Sequence, residues 1–391
     1  MTDFINLLNK LSSQHLAIHQ NRCVVVRNRN ATCTKCAEAC TSECITYEDN
    51  HLNINALNCV GCGTCATVCP TCAIESLKPH DPALLQESLE AMAAAGGKSV
   101  VACEKILARV DGLYDATKVV PVACLGRVDE SLLVALAQKG ATSITLVHNG
   151  CEECDLCPGL FTAEKVVETT NALLDTWNQP VRVTMVNKLP GFIRRAGEAE
   201  FDESRRAFFE TIKDEAQAAA VITANEVIDD KLGTAKPEEP RYVKVQDDGT
   251  LPHFVPTRRE RLLEELALMS EPKDELIETR LWGHVIIDID TCSSCQMCAT
   301  FCPTGAIRKF ELPDGTFGVD HTPVDCVKCY CCTDICPTSA LTLSSEVFAT
   351  DIATKAISRY AMKPREFKTK DPHSMVNHMK KFTLCDQIYE R

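Results

Sequence analysis

The chain has 391 residues, 54 acidic against 41 basic side chains for a net charge of −13, and 25 cysteines beside only 2 Trp and 6 Tyr. That charge makes nucleic acid a poor partner, because the basic clusters (RR at 194–195, SRR at 204–206, RRER at 258–261) are short and sit in mixed-charge, helix-like contexts. No apolar run approaches 18 residues, and the first twenty residues lack the marks of an export signal, so the cysteines are expected in a reducing cytoplasm, kept for metals or catalysis.

In chain order, residues 1–22 are predicted to form an N-terminal helix. Two cysteine runs follow within 23–80: CTKCAEACTSEC carries Cys33, Cys36, Cys40 and Cys44, and CVGCGTCATVCP carries Cys59, Cys62, Cys65 and Cys69. The second has the spacing C-x2-C-x2-C-x3-C-P. Three thiolates two residues apart wrap one 4Fe-4S cubane, and the fourth points to a neighbouring cluster. The first run has one more residue in its middle gap and no proline, which reads as a slightly larger loop. GCGTCA (61–66) formally fits a dinucleotide fingerprint but overlaps two of these cysteines, and no helix is expected behind it.

From 81 to 190 the pattern changes. SVVAC (99–103), VVPVAC (119–124), SITLVHNGC (143–151) and VRVTMV (181–186) read as buried strands, with helices predicted over 131–140 and 162–177. Alternating strand and helix implies a parallel sheet. Cys103, Cys124 and Cys151 then fall at the carboxyl ends of strands, the edge where open sheets bind ligands, with Cys154 and Cys157 in the same loop. Five cysteines at one edge suggest a metal centre; iron–sulfur, zinc and free redox thiols all remain open. GGKS (96–99) lacks the first glycine of a P-loop, since Met92 stands there.

Residues 191–283 hold no cysteine, are richer in charge than the 24% of the whole chain, and read as a helical connector. Within it 229–240 reads as an exposed loop. PTRRERLLEELALM (256–269) reads as a helix with Thr257 and Glu260 as a capping box and one face of Leu262, Leu263, Leu266 and Met269. Residues 284–345 repeat the four-cysteine spacing twice: Cys292, Cys295, Cys298, Cys302, then Cys326, Cys329, Cys332, Cys336. Residues 346–391 read as a tail. Cys23, Cys72, Cys331 and Cys385 fall outside every spacing and read as small buried hydrophobes. Zinc ribbons use two C-x2-C pairs, whereas sixteen cysteines in four groups of four favour four 4Fe-4S clusters.

The regions 23–80 and 284–345, with CPTCAIESL and CPTGAIRKF after their fourth cysteines, resemble bacterial dicluster ferredoxins. The stretch from Cys124 through Gly126, Arg127, Val128 and Asp129 to Cys151 resembles the hydrogenase iron–sulfur subunit family, typified by the delta subunit of methyl-viologen-reducing hydrogenase. That resemblance implies a central 2Fe-2S centre and electron transfer between a hydrogenase or dehydrogenase and a flavin-containing partner. CEECDLC replaces the family's loop after Cys151, which leaves the nuclearity and the fourth ligand open. On the residues themselves, Asp129 also reads as a helix N-cap.

The expected architecture is two α+β ferredoxin-like dicluster domains flanking an α/β parallel-sheet domain, plus the connector. The expected function is an electron-transfer subunit, not itself catalytic, of a cytoplasmic oxidoreductase in anaerobic metabolism. Its partners would be redox subunits of flavoprotein, hydrogenase or molybdopterin dehydrogenase type. The alternatives are an iron–sulfur regulatory or assembly protein and a sulfur-transfer enzyme using Cys151, Cys154 or Cys157.

Overall fold

The structure, a computed structural model, describes residues 15–48, 50–110, 112–151, 154–195, 242–364, 380 and 387–389. Its N-terminal unit comprises β1 (Leu16–Ile18), the short helices α1 (Val24–Arg27) and α2 (Lys35–Glu38), the hairpin β2 (Ile45–Glu48) and β3 (His51–Ile54), α3 (Thr64–Val68) and β4 (Ile74–Ser76). β1 pairs antiparallel with β4, Ile18 opposite Ile74, and β2 with β3, Ile45 opposite Ile54. The expected helix over 1–22 is therefore not what its described part forms. Leu16–Ile18 is drawn into a strand because its main chain closes the edge of β4; residues 1–14 lie outside the described residues. A five-residue helix, α3, does follow Gly63, so the glycines at 61 and 63 open a helix after all.

The central unit runs α4 (Asp81–Ala94), β5 (Lys98–Cys103), α5 (Glu104–Arg109), β6 (Val120–Val122), α6 (Glu130–Gln138), β7 (Ser143–Val147), α7 (Pro158–Thr176) and β8 (Val183–Val186). Its four strands form one all-parallel sheet in the order β6-β5-β7-β8. β5 is buried at every residue but Lys98, as a strand covered on both faces must be. Pro121 is tolerated in β6 because β6 is an edge strand. Asp129 caps α6, its carboxylate accepting from the N–H groups of Ser131 and Leu132 at 2.9 and 3.2 Å.

Of the connector, 196–241 lie outside the described residues, including the loop expected over 229–240. The rest is mixed: β9 (Tyr242–Lys244), α8 (Thr257–Ala267) and β10 (Leu276–Glu278). α8 has the expected face, with Leu262 and Leu266 buried beside Trp282 and Val134. Its expected capping box is not made. The N-cap position is Pro256, whose carbonyl accepts from Glu260 N at 3.0 Å.

The C-terminal unit repeats the first: β11 (His284–Ile287), α9 (Met297–Phe301), β12 (Ile307–Glu311), β13 (Phe317–His321), α10 (Cys331–Ile335) and β14 (Leu341–Ser344). β11 pairs with β14 and β12 with β13, the same two antiparallel pairs as β1–β4 and β2–β3. The residues beyond 345 are not simply a tail. β15 (Glu346–Phe348) pairs with β10, α11 (Ala349–Thr354) follows, and β16 (Ser358–Ala361) extends the β12–β13 sheet. β17 (Gln387–Tyr389) pairs in parallel with β9. Among the described residues no helix is long and apolar enough to cross a membrane.

Candidate metal centres

Three of the cysteine runs fold alike, residue for residue. In each, the second residue after the first cysteine and the residue after the second cysteine are left-handed: Gly61 and Gly63, Ser294 and Gln296, Lys328 and Tyr330. In each a five-residue helix (α3, α9, α10) begins two residues past the second cysteine and ends just before the fourth. The third residue past the fourth cysteine is left-handed again: Cys72, Gly305 and Ser339. A non-glycine residue held there costs on the order of 1–2 kcal/mol, and such strain concentrates at functional sites. Here it turns the loop back on itself between the cysteines. Cys72, outside the spacing in sequence, thus occupies a turn position that glycine or serine fills elsewhere.

The sulfurs are also met by donors. Ser294 N reaches Cys292 Sγ at 3.4 Å, Ala73 N reaches Cys69 Sγ at 3.2 Å, and Ala340 N reaches Cys336 Sγ at 3.3 Å. The hydroxyls of Thr71, Thr304 and Thr338 lie 3.6, 3.9 and 3.8 Å from the fourth sulfur of their runs. Hydrogen bonds of this kind stabilise sulfur that carries negative charge. A cavity beside β11, β14 and the start of α10 is lined by Cys302, Cys326, Cys329 and Cys332, with Val285, Ile307 and Leu343 among its apolar walls. Those four cysteines come from two runs, the fourth of one with the first three of the next. Burial pushes the Cys326 thiol up to about 11, and burial followed by the neighbouring thiolates pushes Cys329 and Cys332 well above the ordinary range. Three buried thiolates and a half-buried one are untenable without positive charge between them, and a cluster's irons would supply it. The residues fit the group.

The N-terminal pair shows the same crossing. Cys65 lies within electrostatic reach of Cys62, Cys59 and Cys40, and Cys33 within that of Cys69. The first run, however, is registered differently from its spacing. α2 stands where α3, α9 and α10 stand, which aligns Cys33, Cys36 and Cys40 with the second, third and fourth cysteines of the other runs. Glu43 is left-handed as Cys72 is, and β2 starts at Ile45 as β4 does at Ile74. Cys44 consequently falls where the others have Ala73, Ala306 and Ala340, with its sulfur 3.4 Å from Cys40 Sγ and hydrogen-bonded to Cys59. The first-cysteine position falls on Asn30, which is exposed. The run is not a four-cysteine loop with a longer middle gap; it lacks its first cysteine.

In the central unit β5, β7 and β6 deliver cysteines to one sheet edge. Cys103 is the last residue of β5, Cys124 follows β6 by two residues, and Cys151 lies past β7. Cys103 and Cys151 lie within electrostatic reach of each other, as do Cys124 and both of them; Cys154 reaches Cys103 and Cys151, and Cys157 reaches Cys151. The five expected cysteines thus share one sheet edge, but among the described residues no three His, Cys, Asp or Glu side chains stand close enough together to hold a single metal ion. Burial pushes the Cys124 thiol up to about 12, against the Gly126 N–H 3.5 Å from its sulfur. Lys105 Nζ stands 3.3 Å from Cys154 Sγ. Two glycines permit the close packing. A Cβ on Gly159 would meet Cys124 Sγ at 2.2 Å, and one on Gly126 would meet Thr64 Oγ1 at 2.3 Å. That Thr64 hydroxyl is buried and without a partner among the described residues. Cys124 is also within electrostatic reach of Cys62, so the central group abuts the ferredoxin-like loop.

Residues 291–340 match the 4Fe-4S dicluster domain family. Residues 100–214 match the family of the methyl-viologen-reducing hydrogenase, delta subunit. No curated protein and no solved structure matches. The dicluster match spans Cys292 to Cys336, and the delta-subunit match spans Cys103 to Cys157. The central and C-terminal cysteine groups are thus tied to a hydrogenase-associated family and to an iron–sulfur family, and the N-terminal eight lie outside both matches; the two matches point to an iron–sulfur protein of the electron-transfer kind.

Sequence spacing gives no sign of what joins the units. Arg258 donates to Asp81 (2.7 and 3.0 Å) and to Ala66 O (2.7 Å), Arg127 donates to Asp81 (2.5 Å), and Arg280 pairs with Glu130 at 2.5 Å while reaching Thr67 O. On the other side the two ferredoxin-like units touch directly. Val24, Val25 and Cys33 share an apolar cluster with Phe301, Cys329 and Cys331. Thr32 N donates to Asp334 at 2.8 Å, and Lys35 Nζ to Lys328 O at 3.1 Å. Cys331 is fully buried at this junction, its sulfur 3.9 Å from Asn28 Nδ2. Arg27, 7% exposed, lies within electrostatic reach of Cys331, Cys302 and Cys329.

Proposed function

We propose that this chain relays electrons within a multisubunit cytoplasmic oxidoreductase of hydrogenase, dehydrogenase or heterodisulfide reductase-like type, catalysis residing in a partner. The carriers are four 4Fe-4S clusters and a fifth, central iron–sulfur centre. The observation that carries this reading is that neighbouring cysteine groups influence one another electrostatically or, at the junction of the two ferredoxin-like units, share an apolar cluster. The central group (Cys103, Cys124, Cys151, Cys154, Cys157) adjoins Cys62 of the group made with Cys59, Cys65 and Cys40. That group adjoins the one of Cys33, Cys36 and Cys69, which meets the cavity of Cys302, Cys326, Cys329 and Cys332 across Cys331. Cys292, Cys295 and Cys298, with Cys336, lie beyond Cys302.

When bound, each cluster accepts and returns one electron at a time; the protein sets spacing, burial and charge around it. Ala73, Ala340 and Ser294 hold charge on sulfur through their N–H groups, and the apolar walls exclude water. The protein purified or reconstituted without oxygen should hold about 16 irons from the outer clusters and about 18 to 20 with the central one. Iron near zero with several equivalents of zinc would defeat the proposal. Among the described residues, Lys105 beside Cys154 favours thiol chemistry instead. Alkylation of the holo-protein decides this: cluster ligands stay protected, whereas a sulfur-transfer nucleophile reacts.

A further inference from the structure

The group of Cys33, Cys36 and Cys69 is one thiolate short of a 4Fe-4S cluster, because Asn30 stands where the other three runs have their first cysteine. We propose that Cys23, seven residues upstream of Asn30, is the missing fourth ligand, and that Cys44 ligates nothing. The inference rests on the iron–sulfur reading above and corrects the sequence expectation for both residues, Cys23 having read as a core hydrophobe and Cys44 as a ligand.

The path of the chain brings Cys23 there. β1 pairs with β4, His19 N donates to Ala73 O at 2.8 Å, and the Arg22 guanidinium reaches Cys72 O at 3.3 Å. The segment 19–23 is thereby laid along the residues that follow Cys69. Cys23 is buried in the same core as Cys36, with Cys69 packed against it. Its sulfur lies within electrostatic reach of Cys69 and Cys33, and Cys36 within that of Cys69, Cys23 and Cys33. The Tyr47 hydroxyl, 2.7 Å from Cys36 Sγ, is surrounded by the same three thiols of Cys36, Cys23 and Cys33. The N–H groups of Val25 and Val26 hydrogen-bond to Cys23 Sγ, the same provision made for Cys69, Cys292 and Cys336. Cys44, by contrast, adjoins Cys40 and Cys59, a group that already has four cysteines without it. With Cys23 the two N-terminal groups have four ligands each.

The test is iron content and the low-temperature electron paramagnetic resonance of anaerobically prepared full-length variants. Cys23→Ser and Cys23→Ala should each lose one cluster's signal and about one to four irons, with the other clusters and the far-ultraviolet circular dichroism unchanged. Cys44→Ser should keep the full iron. The double variant Cys23→Ser/Asn30→Cys restores the uninterrupted spacing of the other runs and should recover the lost signal. A cysteine that merely fills the core could not be replaced by a thiol seven residues away on an exposed turn. Full iron in Cys23→Ala, or loss of a cluster in Cys44→Ser, overturns the proposal. Cys36→Ser is the control: if it too keeps all its iron, the iron–sulfur reading of this run falls, not the choice between Cys23 and Cys44.

Discussion

Asp81 is the joint on which three parts of the chain turn. Its carboxylate receives Arg258 on both oxygens at 2.7 and 3.0 Å and Arg127 at 2.5 Å, with Arg261 at 4.0 Å. Arg127 comes from the central unit and Arg258 from α8, and Arg258 also holds Ala66 O in α3. The Asp81, Arg258 and Arg127 side chains are only 12%, 11% and 3% exposed, so water cannot take over the charge. Burial alone would raise the Asp81 carboxyl, but the hydrogen bond and charge of Arg258, with Arg127 and Arg261, hold it well below the ordinary range. Asp81→Asn keeps the shape and one acceptor but leaves two buried guanidinium groups sharing Asp129, which lies 3.4 and 3.8 Å away. Breaking a buried pair costs about 3–5 kcal/mol, and the residual acceptor places this change near the low end, about 3 kcal/mol. Urea unfolding of the anaerobic holo-protein, followed by circular dichroism, measures it. Combined with Arg258→Met, the two losses should fall short of additive by at least about 1 kcal/mol. The contribution is complete above pH ~4 and disappears as the pH drops through the depressed folded value. A loss under about 1 kcal/mol, or strict additivity with Arg258→Met, would refute the reasoning.

His321 is fully buried with neither ring nitrogen partnered among the described residues, and burial followed by the neighbouring His284 lowers it to about 3. Stability should therefore be full above pH ~6.5 and fall as the pH drops toward about 3, by about 2 kcal/mol at pH 5; His321→Leu should flatten that limb, and an unchanged slope would count against the assignment. Arg27→Met removes a buried positive charge beside Cys302 and Cys329, so the potential of the cluster in that cavity should drop by roughly 60 mV, the one-electron equivalent of a tenfold shift. A redox titration showing no change would mean that the charge is neutralised elsewhere.

Much of this architecture is legible in the residues. Each C-x2-C-x2-C-x3-C-P spacing marks a loop that the structure builds the same way, and the β-branched runs give the four parallel strands with Cys103, Cys124 and Cys151 at one edge. Where spacing misleads, the reason is that it counts residues but does not see turns. Cys44 lies at an arithmetically plausible distance from Cys40, yet the left-handed Glu43 and the start of β2 put it four residues past the fourth-cysteine position, where the other runs have alanine. The capping box of Thr257 and Glu260 matches a local pattern, but the chain enters α8 from Pro256, whose carbonyl already takes the Glu260 N–H. Asn28 and Cys331 are 303 residues apart, and nothing local to either announces that they meet.

Those long-range contacts decide how the domains are used. Read along the sequence, the parallel-sheet unit separates two ferredoxins and would stand between them as a spacer or a bridge. In the folded chain it stands to one side, against Cys62, while Cys33 and Cys329 share an apolar cluster across the direct junction of the two ferredoxin-like units. On the proposed reading an electron entering at the central cysteine group would cross the N-terminal groups before the C-terminal ones, without returning to the sheet. Residues at this junction then serve conduction as well as packing. Val24, Val25, Phe301 and Cys331 would keep water from between the two cysteine groups, and Arg27 places a charge next to one of them. Cys331 needs no iron to account for its place: a small, polarizable side chain with no exposed surface fills the gap between Asn28 and Phe301, where a larger residue would push the two units apart.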